Sequence, residues 1–132
     1  MPRILVADDD PQQLNLRKLL LESRGHQVET ALCASETLRH LRHGSADLVI
    51  MDLRFPNAAG RPDSAEGKAL IRGIRELGCR APVIVLSGWP EDLYGQPEEQ
   101  MVSCIMVKPV GMTVLLKAIQ ELVRHPGAEP PA

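Results

Sequence analysis

Short apolar runs alternate with amphipathic stretches along the whole chain. Five runs predict β-strands: Arg3–Asp8, Gln27–Ala31, Asp47–Asp52, Pro82–Leu86 and Cys104–Val107. Four of the five are almost unbroken aliphatic sequence, which is typical of strands buried on both faces of a parallel sheet. The run Gln27–Ala31 has only Val28 at its centre and predicts a shorter, more exposed strand.

Apolar residues recur at helical spacing between these strands. Helices are predicted from Pro11, with Asp10 as N-cap, to a stop at Gly25, and over Ser35–His43, Glu66–Leu77 and Met112–Arg124. The first helix is expected to pack on the sheet through a broad apolar face made of Leu14, Leu16, Leu19, Leu20 and Leu21. Two prolines and a glycine interrupt the segment Trp89–Gln100, which is therefore expected to hold at most one or two helical turns.

Strands that alternate with helices imply a parallel sheet covered on both faces and joined by right-handed crossovers. We therefore predict an α/β fold with a doubly wound five-stranded parallel sheet in the flavodoxin-like order 2-1-3-4-5, with a poorly formed fourth helix. The length of 132 residues suits one domain, predicted over residues 1–125, with a flexible C-terminal tail at 126–132.

Composition excludes several classes of function. A net charge of −2 gives no basic footprint for nucleic acid or for an anionic membrane, and three aromatic residues cannot form a base-stacking platform. The apolar runs are far shorter than the ~20 residues that span a bilayer.

The chain enters a strand at once, which leaves no room for a signal peptide, and its three cysteines are widely spaced. A cytoplasmic location is predicted.

Reactive side chains follow four of the predicted strands. They are Asp8 and Asp9, Asp52, Ser87 and Lys108, and in a doubly wound sheet these carboxyl ends share one edge. Three neighbouring carboxylates repel one another, and a hard divalent cation such as Mg²⁺ relieves that repulsion. With a lysine beside it, such a site suits phosphoryl transfer to a carboxylate nucleophile.

Four segments carry a family resemblance: I-L-V-A-D-D-D-P at 4–11, D-L-V-I-M-D-L-R-F-P at 47–56, P-V-I-V-L-S-G at 82–88 and V-K-P at 107–109. Together they resemble the receiver domain of two-component response regulators over the whole chain. The resemblance implies that Asp52 is the phosphoacceptor. It also implies a Mg²⁺ site formed by Asp8, Asp9, Asp52 and the backbone carbonyl of Arg54.

By the same resemblance, Ser87 is the switch hydroxyl, Lys108 contacts the phosphoryl group, and the peptide bond before Pro109 is cis. A histidine kinase or histidine phosphotransfer protein would donate the phosphoryl group, and an unknown downstream protein would bind the phosphorylated form. The domain would catalyse only its own phosphoryl transfer and dephosphorylation, and would contact neither nucleic acid nor membrane. The sequence leaves open whether it forms a homodimer.

Two alternatives are retained. The chain could be a pseudo-receiver, an interaction module that is not phosphorylated, although its complete set of acids, serine and lysine argues against this. A Mg²⁺-dependent aspartyl-phosphate phosphatase of the haloacid-dehalogenase type is the weaker alternative. That family has a second Asp two residues after the nucleophile, where this chain has Arg54.

The chain departs from the family pattern after Asp52. The stretch Leu53–Ala65 is long and is expected to be an irregular loop, which suggests a seven-residue insertion. Both Gly60 and Gly67 match the glycine that the family places in this loop.

One further departure concerns signalling. Ile105 stands where the family usually has an aromatic switch residue, three positions before the lysine. Arg54 and Trp89 each follow a site residue by two positions and are expected to flank the approach to the phosphoryl group. Since they would hinder an attacking water there, a long-lived phosphoryl state is predicted.

Overall fold

The computed structural model describes residues 2–124 and contains the predicted parallel sheet. In chain order the strands are β1 (Arg3–Ala7), β2 (Gln27–Ala31), β3 (Leu48–Asp52), β4 (Phe55–Pro56), β5 (Pro62–Asp63), β6 (Val83–Ser87) and β7 (Cys104–Val107). The five-stranded sheet has the order β2-β1-β3-β6-β7, and β4 and β5 form a separate hairpin. The prediction of a flavodoxin-like order 2-1-3-4-5 is confirmed for the five strands of the main sheet.

Among the described residues there are four α-helices: α1 (Pro11–Glu22), α2 (Ala34–His43), α3 (Ser64–Glu76) and α4 (Met112–Arg124), the last of which follows β7. The side chain of Asp10 accepts hydrogen bonds from the first-turn amides of α1, as predicted. Between β6 and β7 there are only two short 3₁₀ helices, Pro90–Asp92 and Pro97–Met101. This segment is the poorly formed fourth helix that its prolines predict.

The main sheet separates two aliphatic cores. Along β3, Leu48 and Ile50 point into the core that α1 and α4 cover, whereas Val49 and Met51 point into the core that α2 and α3 cover. The same alternation runs along β1 and β6, so each central strand is buried on both faces. This burial holds the carboxyl ends of β1, β3 and β6 side by side at one edge.

Helix α1 does not bury the broad leucine face that its sequence predicts. Leu14 and Leu21, two turns apart, are buried, but Leu16, Leu19 and Leu20 are 51%, 67% and 36% exposed. The prediction is wrong for these three leucines because α4 covers the rest of that sheet face with its own apolar residues. A strip of exposed leucines therefore runs along α1.

The stretch after Asp52 is ordered, so the prediction of an irregular loop is wrong. Phe55 of β4 is buried in the core against α3, and it pairs with Asp63 of β5. The turn is closed by Asn57, whose side-chain oxygen accepts hydrogen bonds from the amides of Ala59 and Arg61. Gly60 supplies the positive φ of 78° that this turn needs.

Gly67 brings α3 against the backbone next to the phosphoacceptor candidate. A Cβ atom at Gly67 would lie 1.9 Å from the carbonyl oxygen of Leu53, a distance that no side chain tolerates. Of the two candidate glycines, Gly67 makes the close contact between α3 and the segment that follows Asp52, whereas Gly60 shapes the hairpin turn.

The predicted tail at 126–132 lies outside the described residues. Across residues 2–124, every helix falls short of the length and apolar character needed to cross a membrane.

Candidate functional site

Three carboxylates meet at the carboxyl edge of the sheet. β1 and β3 are neighbours, with Ala7 opposite Met51, so Asp8 and Asp52 emerge side by side. One carboxylate oxygen each from Asp8, Asp9 and Asp52 lies within 4.8 Å of the others. Asp8 is 2% exposed, Asp52 is half-buried and Asp9 is open to solvent. The structure thus assembles the acidic cluster that the strand pattern predicts.

Lys108, which follows the edge strand β7, contacts the acidic cluster. Its Nζ atom lies 3.1 Å from Oδ2 of Asp52 and 3.6 Å from Oδ2 of Asp8. The backbone N–H of Lys108 donates to the carbonyl of Ser87, and the Lys108–Pro109 peptide is cis, as the family resemblance implies. The cation therefore neutralises part of the charge on two of the three acids.

The carboxylate of Asp52 is oriented by its own strand end. Oδ1 accepts hydrogen bonds from the amides of Leu53, at 2.7 Å, and Arg54, at 3.4 Å. Oδ2 faces Lys108. These contacts hold one oxygen toward the backbone and the other toward Lys108.

Ser87 ends β6 and is 1% exposed. It lies one residue beyond Leu86, which is paired with Asp52 in the sheet register. Its Oγ atom accepts a hydrogen bond from the amide of Trp89 at 2.9 Å. The hydroxyl proton remains free to be donated elsewhere, since accepting that bond uses only an oxygen lone pair.

Sequence reasoning missed Arg17, which belongs to this site. Its NH1 atom donates to Oδ2 of Asp8 at 2.9 Å, and the arginine side chain is only 12% exposed. A helical wheel carries a signal for it, because Arg17 lies between Leu14 and Leu21 on the buried stripe of α1. A cation on that stripe needs a partner at the sheet edge.

The surroundings shift two of the carboxyl pKa values in opposite directions. Burial alone raises the pKa of Asp8, but hydrogen bonds from the amide of Asp10 and from Arg17, with the charge of Lys108, outweigh it and hold the pKa below its ordinary value. Burial, together with the charge of Asp8, raises the pKa of Asp9. Among the described residues, Arg17 and Lys108 form ion pairs with Asp8 and Asp52 and not with Asp9.

A second cluster bridges the two loops that follow β3 and β6. The guanidinium of Arg54 lies 3.9 Å from the centroid of the Trp89 ring, and its NH2 atom lies 2.8 Å from Oδ2 of Asp92. Arg54 and Trp89 are expected here from the sequence, whereas Asp92, which lies on the first 3₁₀ helix, is not. The ion pair and the cation–π contact fix this arginine between the two loops.

The irregular segment between β6 and β7 is fastened to α3. Glu98 is buried and forms a 2.8 Å ion pair with Arg72, whose hydrogen bond lowers the pKa of that glutamate. Arg75 donates from two nitrogens to the carbonyl of Met101, at 3.0 and 2.7 Å. Ile105, in β7, is partly buried against the core that α2 and α3 cover. An aliphatic side chain thus stands where the family usually has an aromatic switch residue.

The donor set fits a hard divalent cation. Carboxylate oxygens are the ligands that Mg²⁺ prefers, and three of them converge here within reach of one ion. The arrangement also fits a phosphoryl group, because Lys108 contacts the Asp52 carboxylate and a buried hydroxyl, Ser87, ends the neighbouring strand.

Comparisons with known proteins show the family of this chain. A family model described as the response regulator receiver domain matches residues 4–120. The transcriptional regulatory protein GlrR of Escherichia coli K12 is 35% identical over 124 residues, which cover 92% of this chain and 26% of GlrR. The sensor kinase/phosphatase CqsS of Vibrio cholerae is 34% identical over 89% of this chain and 17% of its own length.

Solved structures share the fold. The response regulator TrrA of Thermotoga maritima, in complex with Mg²⁺ and BeF, superposes with a TM-score of 0.78 and 27% identity, covering 92% of this chain and 99% of that one. A receiver domain protein from Clostridium thermocellum gives a TM-score of 0.81 and 28% identity, with 94% and 95% coverage. The chain spans only about a quarter of GlrR and less than a fifth of CqsS, but nearly all of these structures.

Proposed function

Since this chain belongs to the response regulator receiver domain family, we propose that it accepts a phosphoryl group on Asp52 as the receiver of a two-component phosphorelay. The observation that carries the proposal is the contact between Lys108 and Asp52, 3.1 Å apart, beside two further acids. A charge-neutralising lysine next to a strand-end carboxylate is what transfer of an anionic group to that carboxylate requires.

In the proposed transfer, Oδ2 of Asp52 forms the bond to phosphorus while the bond from phosphorus to the donor's histidine nitrogen breaks. The leaving imidazole keeps the electron pair of that bond and takes up a proton from water. Lys108 then contacts a phosphoryl oxygen, and Ser87 donates its hydroxyl proton to another. The amides of Leu53 and Arg54 keep Oδ1 turned away from the reaction.

Asp8, Asp9, Asp52 and the backbone carbonyl of Arg54 would hold Mg²⁺. When bound, the ion supplies positive charge that stabilises the phosphoryl oxygens during transfer. The complex of the relative TrrA with Mg²⁺ and BeF supports this assignment, as does the convergence of the three carboxylates.

The proposed donor is a histidine kinase or a histidine phosphotransfer protein, and the proposed output is altered affinity for a downstream protein. Phosphorylation can shift that affinity only by the difference in binding free energy between the two states. Beyond its own phosphorylation and dephosphorylation, the domain is proposed to catalyse no reaction. The proposal keeps the cytoplasmic location predicted from the sequence.

The test is phosphorylation by a small donor. The protein is incubated with Mg²⁺ and acetyl phosphate, and its intact mass is measured over time. We expect a gain of one phosphoryl group that is absent in Asp52→Asn and in samples with EDTA. A wild-type protein that gains no mass under these conditions is instead a pseudo-receiver.

A further inference from the structure

Arg17 forms an ion pair with Asp8, the buried acid of the cluster. Its guanidinium lies 2.9 Å from Oδ2 of Asp8, and the two side chains are 12% and 2% exposed. A pair this shielded from water interacts far more strongly than an exposed one. The arginine comes from the inner stripe of α1, between the two leucines that anchor this helix to the sheet.

Both oxygens of Asp8 are already engaged. Oδ1 accepts the amide of Asp10 at 3.0 Å, and Oδ2 accepts Arg17 while Lys108 lies 3.6 Å away. Three carboxylates with two cations give the cluster a formal charge of −1, whereas the acids with Lys108 alone would give −2. A divalent cation would therefore be attracted less strongly to this cluster than to the three acids with Lys108 alone.

We propose that Arg17 is a positioning residue that competes with Mg²⁺ for Asp8 and keeps the affinity of the unphosphorylated site for the ion low. This inference rests on the proposed metal site and concerns its regulation. Binding of the ion weakens the contact between Arg17 and Asp8, because both cations draw on the same carboxylate. Arrival of the phosphoryl group adds negative charge, which favours retaining the ion and the arginine together.

The experiment measures the dissociation constant of Mg²⁺ directly, by isothermal titration calorimetry. Fluorescence of Trp89, the only tryptophan of the chain, gives an independent reading near the site. The variants are Arg17→Met, which removes the charge, and Arg17→Gln, which removes the charge but keeps a hydrogen-bond donor. Lys18→Met is the matched control, since it removes an equal charge from the next residue of the same helix.

We expect Arg17→Met and Arg17→Gln to bind Mg²⁺ about tenfold more tightly, since a partly buried unit charge beside the ligand is removed. Lys18→Met is expected to stay within about twofold of the wild type, because its charge is not held against Asp8. Circular dichroism verifies that each variant is folded. If Arg17→Met does not fold, Arg17→Gln decides.

A purely structural role for Arg17 would lower the thermal midpoint of the variants without changing Mg²⁺ affinity, and that result overturns the inference. Weaker binding by the variants also overturns it, since Arg17 would then be orienting Asp8 for the ion. If the wild type and every variant bind no Mg²⁺, the proposed metal site fails as well. Equal binding by wild type and variants leaves the proposed function intact and removes only the competition.

Discussion

At the carboxyl edge of the sheet, Arg17 and Lys108 form ion pairs with Asp8, and Lys108 also pairs with Asp52. Among the described residues, neither cation pairs with Asp9. Burial and the charge of Asp8 raise the pKa of Asp9, so the folded state holds the proton of the Asp9 carboxyl more tightly than the unfolded state does. In the absence of metal, stability therefore falls as pH rises through the interval between the unfolded and folded pKa values. The loss is complete above the folded value.

We accordingly predict that Asp9→Asn raises the thermal midpoint in EDTA at pH 7 by a few degrees and abolishes the further stabilisation by Mg²⁺. The gain shrinks as the pH is lowered, because the wild-type carboxyl of Asp9, whose pKa is raised, then takes up its proton. Asp10→Asn is the matched control, because it removes a neighbouring charge but keeps a good N-cap for α1. An Asp9→Asn midpoint equal to or below that of the wild type at pH 7 would contradict the prediction.

Arg54 and Trp89 also act at the scale of single side chains. The cation–π contact and the ion pair with Asp92 place a rigid pair of side chains between the loops that carry Asp52 and Ser87. We predict that the double variant Arg54→Ala/Trp89→Ala loses its phosphoryl group several-fold faster, because water then reaches the phosphorus more easily.

Decay of the phosphorylated protein, followed by intact mass after donor removal, measures that rate. Arg61→Ala, which removes an exposed arginine from the hairpin turn, is the control and should decay as the wild type does. An unchanged rate in the double variant would show that this pair does not limit access of water.

At the scale of elements, the contact between α3 and the segment after β3 positions the site. Gly67→Ala forces a methyl group against the Leu53 carbonyl, so α3 or the backbone beside Asp52 has to move. We predict a loss of about 3 kcal/mol in the free energy of unfolding and slower phosphorylation by acetyl phosphate. Urea unfolding and intact mass provide the two measurements.

Gly73→Ala, on the same helix, is the control for that substitution. Its Cβ would meet side-chain atoms of Leu38, the nearest being the two methyls at 3.2 Å, and the gain in helix propensity offsets that crowding. We expect its stability to stay near that of the wild type. Similar losses in both variants would mean that general crowding on α3, rather than the Leu53 contact, is responsible.

The elements also show what a sequence does and does not reveal. Uninterrupted aliphatic runs such as Val83–Leu86 predict buried strands, and strand order then brings Asp8, Asp52 and Lys108 to one edge. The helical wheel places Arg17 on the buried stripe of α1, but its partner Asp8 follows only from how α1 packs on the sheet. Asp92 escaped prediction because its role depends on which loop lies opposite it. The exposed leucines of α1 escaped it because the area that α4 covers is not visible in the sequence of α1.

At the scale of the whole molecule, the two cores share the central strands β1, β3 and β6. Loss of either core exposes one face of the same strands, so we predict a single cooperative unfolding transition. Urea curves from far-ultraviolet circular dichroism and from Trp89 fluorescence should coincide. Because Trp89 precedes the irregular segment that α3 fastens, an earlier fluorescence transition would show instead that this segment detaches first.

The hairpin of β4 and β5 has a consequence for association. Its turn is closed by Asn57, and Phe55 is anchored in the core, so the chain has already lost conformational entropy there when it folds. A protein that docks on this hairpin meets a surface that needs no further ordering. Binding to a flexible surface would cost free energy because its loops have to become ordered. Binding to this hairpin avoids most of that cost.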